Sequence, residues 1–260
     1  MGVTPTMAKM TASTFVNTCR TIATEYKTLY VMGAFGAPLN AANKARYKKN
    51  HAYNRQASRQ AMIDKASPDT FAFDCVNLIK GILWGWAGDL SQVYGGARYA
   101  SNGVPDIDAD QMIKHCSPSS DFTGIVPGEM LWLQGHAGVY ICDGLAVECT
   151  PAWKNCVQIT AVANIGSVSG YPSRRWTSHG KLPWVDYTAD AEPDPAPQPS
   201  PGPYNDVPAD AWYAPDVQWA KEASIILGVG SGNYAPDSPV TRAQAAAMLH
   251  RLYNYIKNGG

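Results

Sequence analysis

The chain has 260 residues, 45% of them apolar and 16% charged, which suits one sizeable core plus a smaller module. Its 21 basic and 21 acidic residues cancel, so there is no global field to draw the chain onto nucleic acid or an anionic bilayer. Six cysteines at irregular spacing are too few for a disulfide scaffold and match no C-x2-C zinc pattern, so a cofactor-free, metal-free chain with reduced thiols is expected.

No run of about 18 to 20 apolar residues occurs, which removes a membrane-spanning helix. Residues Met1 to Lys9 lack the basic start and apolar core of a secretion signal, so the expectation is a protein made in the cytoplasm. In chain order, Phe15, Val16, Cys19, Ile22, Ala23 and Tyr26 recur at helical spacing and predict an amphipathic helix. Residues 40–66 carry seven basic side chains against Asp64 alone, interleaved with Tyr47 and Tyr53. With no nucleic-acid motif beside it, this run reads as a solvated insertion. A second helix is predicted from Asp74, with Val76, Ile79, Ile82, Leu83 and Trp86 on one side and Gly88 placed to end it.

After Pro127-Gly128 the pattern turns strand-like, at 130–133, 136–141 and 145–149. Helices followed by an antiparallel sheet predict an α+β domain over residues 1–188. At 189–203 alternating prolines forbid helix and deny ladder donors to a sheet, which predicts an extended linker to a second unit at 204–260. In that unit Thr241 and Gln244 form a capping box ahead of a stripe of Ala245, Met248, Leu249, Leu252 and Ile256.

Cys75 falls in the first turn of the second predicted helix, where free amides and the positive helix end favour a thiolate. His136 opens a strand, and the turn at Cys142-Asp143-Gly144 fixes what faces it. A two-residue turn pairs Cys142 with Leu145 and sends Glu148 to the opposite face. A three-residue loop ending in left-handed Gly144 pairs Ile141 with Leu145 and Gly138 with Glu148, which puts His136 and Glu148 on one face. The second register makes a Cys, His, Glu triad available, in which His136 takes the thiol proton and Glu148 orients the ring.

Three segments, Tyr30-Val31-Met32-Gly33, Phe73-Asp74-Cys75-Val76-Asn77-Leu78 and Gly135-His136-Ala137-Gly138-Val139-Tyr140-Ile141, resemble the NlpC-type branch of papain-like cell-wall cysteine peptidases. The resemblance covers roughly residues 12–187 and implies N-terminal helices packed on an antiparallel sheet, with Cys75, His136 and Glu148 catalytic. It also implies that Tyr30 and Asp74 contact substrate. Gly33 is followed by Ala34 instead of a second glycine, Val76-Asn77 replace Ser-Gly, and about thirty residues are inserted before Cys75. The inserted form, with Leu83-Trp84-Gly85-Trp86, looks most like phage-encoded lysins, which reach the wall through a holin pore. The implied substrate is the peptidoglycan stem peptide, cut between D-Glu and the diamino acid, with the muramoyl-alanine amide as second choice.

Residues 204–256 resemble an S-layer homology module, on Tyr204-Asn205-Asp206-Val207, Trp212-Tyr213, Gly228 to Pro236 and Val240-Thr241-Arg242-Ala243-Gln244. That resemblance implies binding of pyruvylated secondary cell-wall polysaccharide by Asp206, Trp212 and Arg242. Such modules occur in threes, so a single copy implies either a homotrimer through this segment or weak binding by a lone module. A non-enzymatic wall-binding protein is the competing class.

Overall fold

Strand β1 (Met10–Thr11) runs directly into helix α1 (Ala12–Glu25) in a computed structural model that describes residues 9–188, 202–209, 211–230 and 232–258. Thr11 caps α1 by accepting the Thr14 amide at 3.2 Å, and Phe15, Val16, Cys19 and Ile22 fill its inner face as their spacing predicts. Then follow β2 (Thr28–Tyr30), β3 (Phe35–Pro38), α2 (Ala41–Asn50), α3 (Ala57–Lys65) and β4 (Phe71–Phe73). The three strands form a small sheet of order β2-β4-β3, with β2 parallel to β4.

The basic run is therefore two packed helices and not a solvated insertion. Tyr47 and Ile63 are buried with Val31 and Leu39. The Arg59 guanidinium is buried too, on the carbonyl oxygen of Tyr30 and at 2.8 Å from Asn155 Oδ1. Tyrosine, isoleucine and the arginine stem supply the apolar surface that charge counting overlooks.

Helix α4 (Cys75–Leu83) is buried on every side. Asp74 is its cap, Oδ1 accepting the Asn77 amide at 2.9 Å. Lys80 inside it is paired with Asp106 at 2.5 Å. The helix stops before Gly88: Gly85 at φ 87° takes the left-handed position. Gly85 and Trp86 then return their amides to the carbonyls of Ile82 and Gly81, both at 2.9 Å, the double bond of a Schellman ending.

Beyond α5 (Ala109–Met112) come β5 (Met130–Leu133), β6 (His136–Cys142), β7 (Leu145–Thr150), β8 (Cys156–Val162), β9 (Ser173–Arg174), β10 (Ser178–Gly180) and β11 (Val185–Asp186). Strand β11 pairs with β1, and the other six form a sheet of order β10-β5-β6-β7-β8-β9 that is antiparallel except between β8 and β9. This is an α+β fold. Ala137, Val139, Ile141, Val147, Cys149 and Val157 join α1 and α4 in the main core. Leu131, Tyr140, Ala146, Val162 and Trp176 form a second cluster on the other face.

The β6–β7 turn combines the two expected registers. Cys142 pairs with Leu145, as a two-residue Asp143-Gly144 turn requires, and both turn residues are left-handed at φ 51° and 71°. A bulge between Tyr140 and Cys142 then absorbs one residue, so Val139 faces Val147 and the alternation continues to Gly138 opposite Glu148. The face shared by His136 and Glu148 arises from this bulge.

The chain divides into two units, Met1–Ala191 and Glu192–Gly260. Through residue 201 the expected proline linker lies outside the described residues. In the second unit α6 (Ala214–Glu222) and α7 (Arg242–Lys257) enclose Tyr204, Val207, Val217, Ile225 and Ile226. Thr241 and Gln244 make the reciprocal capping box. The expected stripe on α7 is only partly used. Met248, Leu252 and Tyr255 meet the core, whereas Leu249 and Ile256 stay 66% and 67% exposed. One packing partner covers a narrow seam of a helix, not a full face. Among the described residues no helix is long and apolar enough to cross a membrane.

Candidate active site

Cys75 is the first residue of α4 and is buried against the start of β6. Its thiol lies 3.9 Å from the Gly135 carbonyl oxygen and within hydrogen-bonding reach of the Ala137 amide. It thus engages both backbone neighbours of His136. Burial pushes the thiol up to about 12 and the Asp74 carboxylate adds to this, against the amides of Ala137, Val76 and Cys75 itself. The helix end does not yield the resting thiolate expected from position alone. Desolvation wins, and a base must remove the proton.

His136 opens β6, with its side chain on the face opposite the main core. Nε2 bonds Glu148 Oε2 at 2.7 Å. Glu148 has no exposed surface and also accepts from Thr160 Oγ1 at 2.8 Å and Arg174 Nε at 2.9 Å. Burial raises its carboxyl, but His136 and Arg174 outweigh that and hold it below the usual carboxylate range. An ionised carboxylate only accepts, so Nε2 carries the ring proton and Nδ1 is the nitrogen left for a thiol proton. Trp176 stacks on the ring, 5.5 Å between centroids and 7° from parallel. A Cβ on Gly138 would meet that indole at 2.8 Å, which explains the glycine there.

A cleft of about 560 Å³ opens at the thiol, lined by Tyr30, His51, Cys75, Lys80, Asp110 and Gly135 among others. Tyr30 is buried at its edge, edge-on to Tyr53. Asp74 also borders it, but the resemblance's substrate contact is already engaged inside the fold. Oδ1 accepts the Asn77 amide at 2.9 Å, and Oδ2 accepts Gly33 N at 2.7 Å and Asn77 Nδ2 at 2.8 Å. Asp74 ties the Tyr30–Gly33 segment to the helix start and is only 4% exposed.

Sequence reasoning missed His51, Asp110, Thr160, Arg174 and Trp176. Asp110 Oδ1 accepts Trp132 Nε1 at 2.8 Å and Gly135 N at 2.7 Å, which fixes the turn just before His136. The His51 ring covers Gly33, where a Cβ would come within 2.4 Å of it. Thr160 was within reach of strand alternation, since Glu148 pairs with Gln158 and Thr160 shares that strand. Arg174 follows an irregular stretch and carries no local signal.

In the second unit both oxygens of Asp206 accept loop amides, from Tyr234 and Ala235 at 2.7 Å each. The Tyr234 bond first, with that of Ala235, holds its carboxyl below the usual range although burial raises it. Asp206 pins a loop. Trp212 is 86% exposed and is not a core residue. Arg242 is exposed at the first position of α7.

Residues 203–246 match the family model of the S-layer homology domain. They form an S-layer homology domain. An endoglucanase of Bacillus sp. (strain KSM-635) is 43% identical over 47 residues, which are 18% of this chain and 5% of that protein. Among solved structures, NlpC2 from Trichomonas vaginalis aligns over 70% of this chain and 50% of that one, at 12% identity and a TM-score of 0.35. The chain thus spans a twentieth of that endoglucanase and half of NlpC2. The S-layer homology domain marks it as a cell-wall-associated protein.

Proposed function

We propose that the chain is a peptidoglycan hydrolase that cuts an amide of the stem peptide by thiol catalysis and is held on secondary wall polysaccharide by its S-layer homology domain. The observation that carries this reading is the His136–Glu148 pair at 2.7 Å, whose strand begins against the Cys75 thiol.

This reading requires the His136 ring, at the first residue of β6, to reach past the strand start to the Cys75 side of the sheet. There Nδ1 takes the thiol proton as sulfur attacks the amide carbonyl, and the backbone amide of Cys75 at the open helix end faces the developing oxyanion. The proton passes to the departing amine, leaving a thioester. Water then attacks with His136 again as base, which releases the acid and restores the thiol. A thiol held up to about 12 makes His136 a general base instead of the partner of a preformed thiolate. Within the wall, Trp212 and Arg242 are the exposed candidates for polysaccharide, and a guanidinium suits a pyruvyl carboxylate. Asp206 shapes the Tyr234–Ala235 loop of the same domain.

The bond proposed is D-Glu to diamino acid. Turbidity of purified walls from several bacteria, with wild type and Cys75→Ala, tests the reading. Clearing by wild type alone supports it, equal clearing rejects the thiol mechanism, and clearing by neither leaves a wall-binding protein. Mass analysis of released fragments names the bond, and light scattering shows whether three chains associate.

A further inference from the structure

We propose that Arg174 is a positioning residue for this site, pairing with Glu148 so that the carboxylate stays ionised and holds the His136 ring in the working tautomer. The inference rests on the hydrolase reading above and assigns a fourth participant to it. Arg174 lies on β9, at the sheet edge beyond β8, and reaches back across that strand. Its Nε sits 2.9 Å from Glu148 Oε1 and 2.8 Å from Oε2, bridging the two oxygens. Nη2 reaches Thr150 Oγ1 at 3.3 Å. The guanidinium lies between two indoles, 4.8 Å from the centre of Trp153 and 5.7 Å from that of Trp176, the ring that stacks on His136. Few rotamers remain open to it.

The Glu148 carboxylate is bonded by His136 from β6, Thr160 from β8 and Arg174 from β9, and the buried Cys149 thiol follows it on β7, turned to the Phe73 carbonyl. Thr160 is neutral, the Cys149 thiol is held protonated by burial, and His136 must be neutral to act as base. Among the described residues that bond this carboxylate, which has no exposed surface, Arg174 is then the one permanent positive charge. Without it, ionised Glu148 would be an unpaired buried charge and would take up a proton. A protonated Glu148 can donate to the ring as well as accept from it, so the proton on Nε2, and with it the free Nδ1, would no longer be enforced.

Carbon-13 NMR of the Glu148 carboxyl, followed through a pH titration of the full chain, tests this without any substrate. In Arg174→Met the carboxyl is expected to titrate at least about one pH unit higher than in wild type, and in Arg174→Lys, which keeps the charge, to stay nearer wild type. The acid limb of wall clearing should move up with it in Arg174→Met, and clearing at neutral pH should fall at least about tenfold with KM little changed. An unmoved carboxyl titration in folded Arg174→Met overturns the proposal. If that variant does not fold, a wild-type acid limb and clearing rate in Arg174→Gln overturn it. Should wild type clear no wall, the hydrolase reading fails while the carboxyl titration still decides the role of Arg174.

Discussion

Two sets of cysteine, histidine and glutamate meet around the six-stranded sheet, each histidine on one of its strands. His136 pairs with Glu148 on the strand whose start meets Cys75, and His179 pairs through Nδ1 with Glu129, whose charge acts on Cys116. In the second set, Nε2 of His179 is also taken, by the Asp121 carbonyl oxygen at 2.8 Å, and the ring is 5% exposed against Phe122. Both nitrogens are committed to protein oxygens, so neither is left for a thiol proton. His136 keeps Nδ1 free of any hydrogen bond to the described residues, and its neighbour Gly135 lines the cleft. The same three residue types make the proposed site in one place and a brace in the other. What separates them is a free nitrogen and access.

The largest effect expected from this contrast is on catalysis. Cys75→Ala should lower wall clearing by at least about a thousandfold, while Cys116→Ala, measured in the same turbidity assay, should stay within a few-fold of wild type. Comparable losses in both variants would mean that fold integrity, not chemistry, is being read. The histidines should separate in the opposite sense by calorimetry. His179→Ala leaves Glu129 buried without its partner and should cost about 3–5 kcal/mol, lowering Tm by roughly 10 °C for a unit of this size. His136→Ala should shift Tm less and lower clearing by about a hundredfold or more.

The sequence carried one of these sets and was silent on the other, and the reason is local. Asp74-Cys75 and His136 through Ile141 lie within single elements whose period fixes their direction, so helix start and strand face were both legible. Glu148 was legible only as one of two registers, and the deciding bulge at Tyr140/Cys142 depends on backbone angles that no residue type announces. His179 carries no strand signal because β10 is three residues long and gains its strand character from β5. Arg174 and Asp110 meet the site by tertiary packing alone. In the second unit the capping box was legible from Thr241 and Gln244, but the width of the buried seam was not, since it depends on how many elements pack there.

In one respect the two sets should behave alike. Burial holds both the Cys75 and Cys116 thiols up to about 12, against 9.0 for the free group. The folded chain therefore binds more protons than the unfolded chain between those values. The stability they contribute is complete below 9.0 and is lost as pH rises towards 12. Melting temperatures taken from pH 8 upward should fall through this window, and each Cys→Ala variant should flatten the slope. Identical slopes in wild type and both variants would contradict the burial seen for these thiols.

The smallest effects lie in the S-layer homology domain, where the distinction between committed and available groups recurs without a catalytic step. Asp206 has both oxygens on loop amides, and Trp212 is open to solvent. Trp212→Ala should leave stability within about 0.5 kcal/mol yet weaken retention on polysaccharide-bearing walls several-fold in a pelleting assay. Asp206→Ala should do the reverse. It releases the Tyr234–Ala235 loop and lowers the domain's melting point, and retention should return on cooling as the loop reforms. If Asp206→Ala stays fully folded and still loses the wall at low temperature, its carboxylate contacts the ligand directly, and commitment to backbone amides would not be enough to mark a residue as structural.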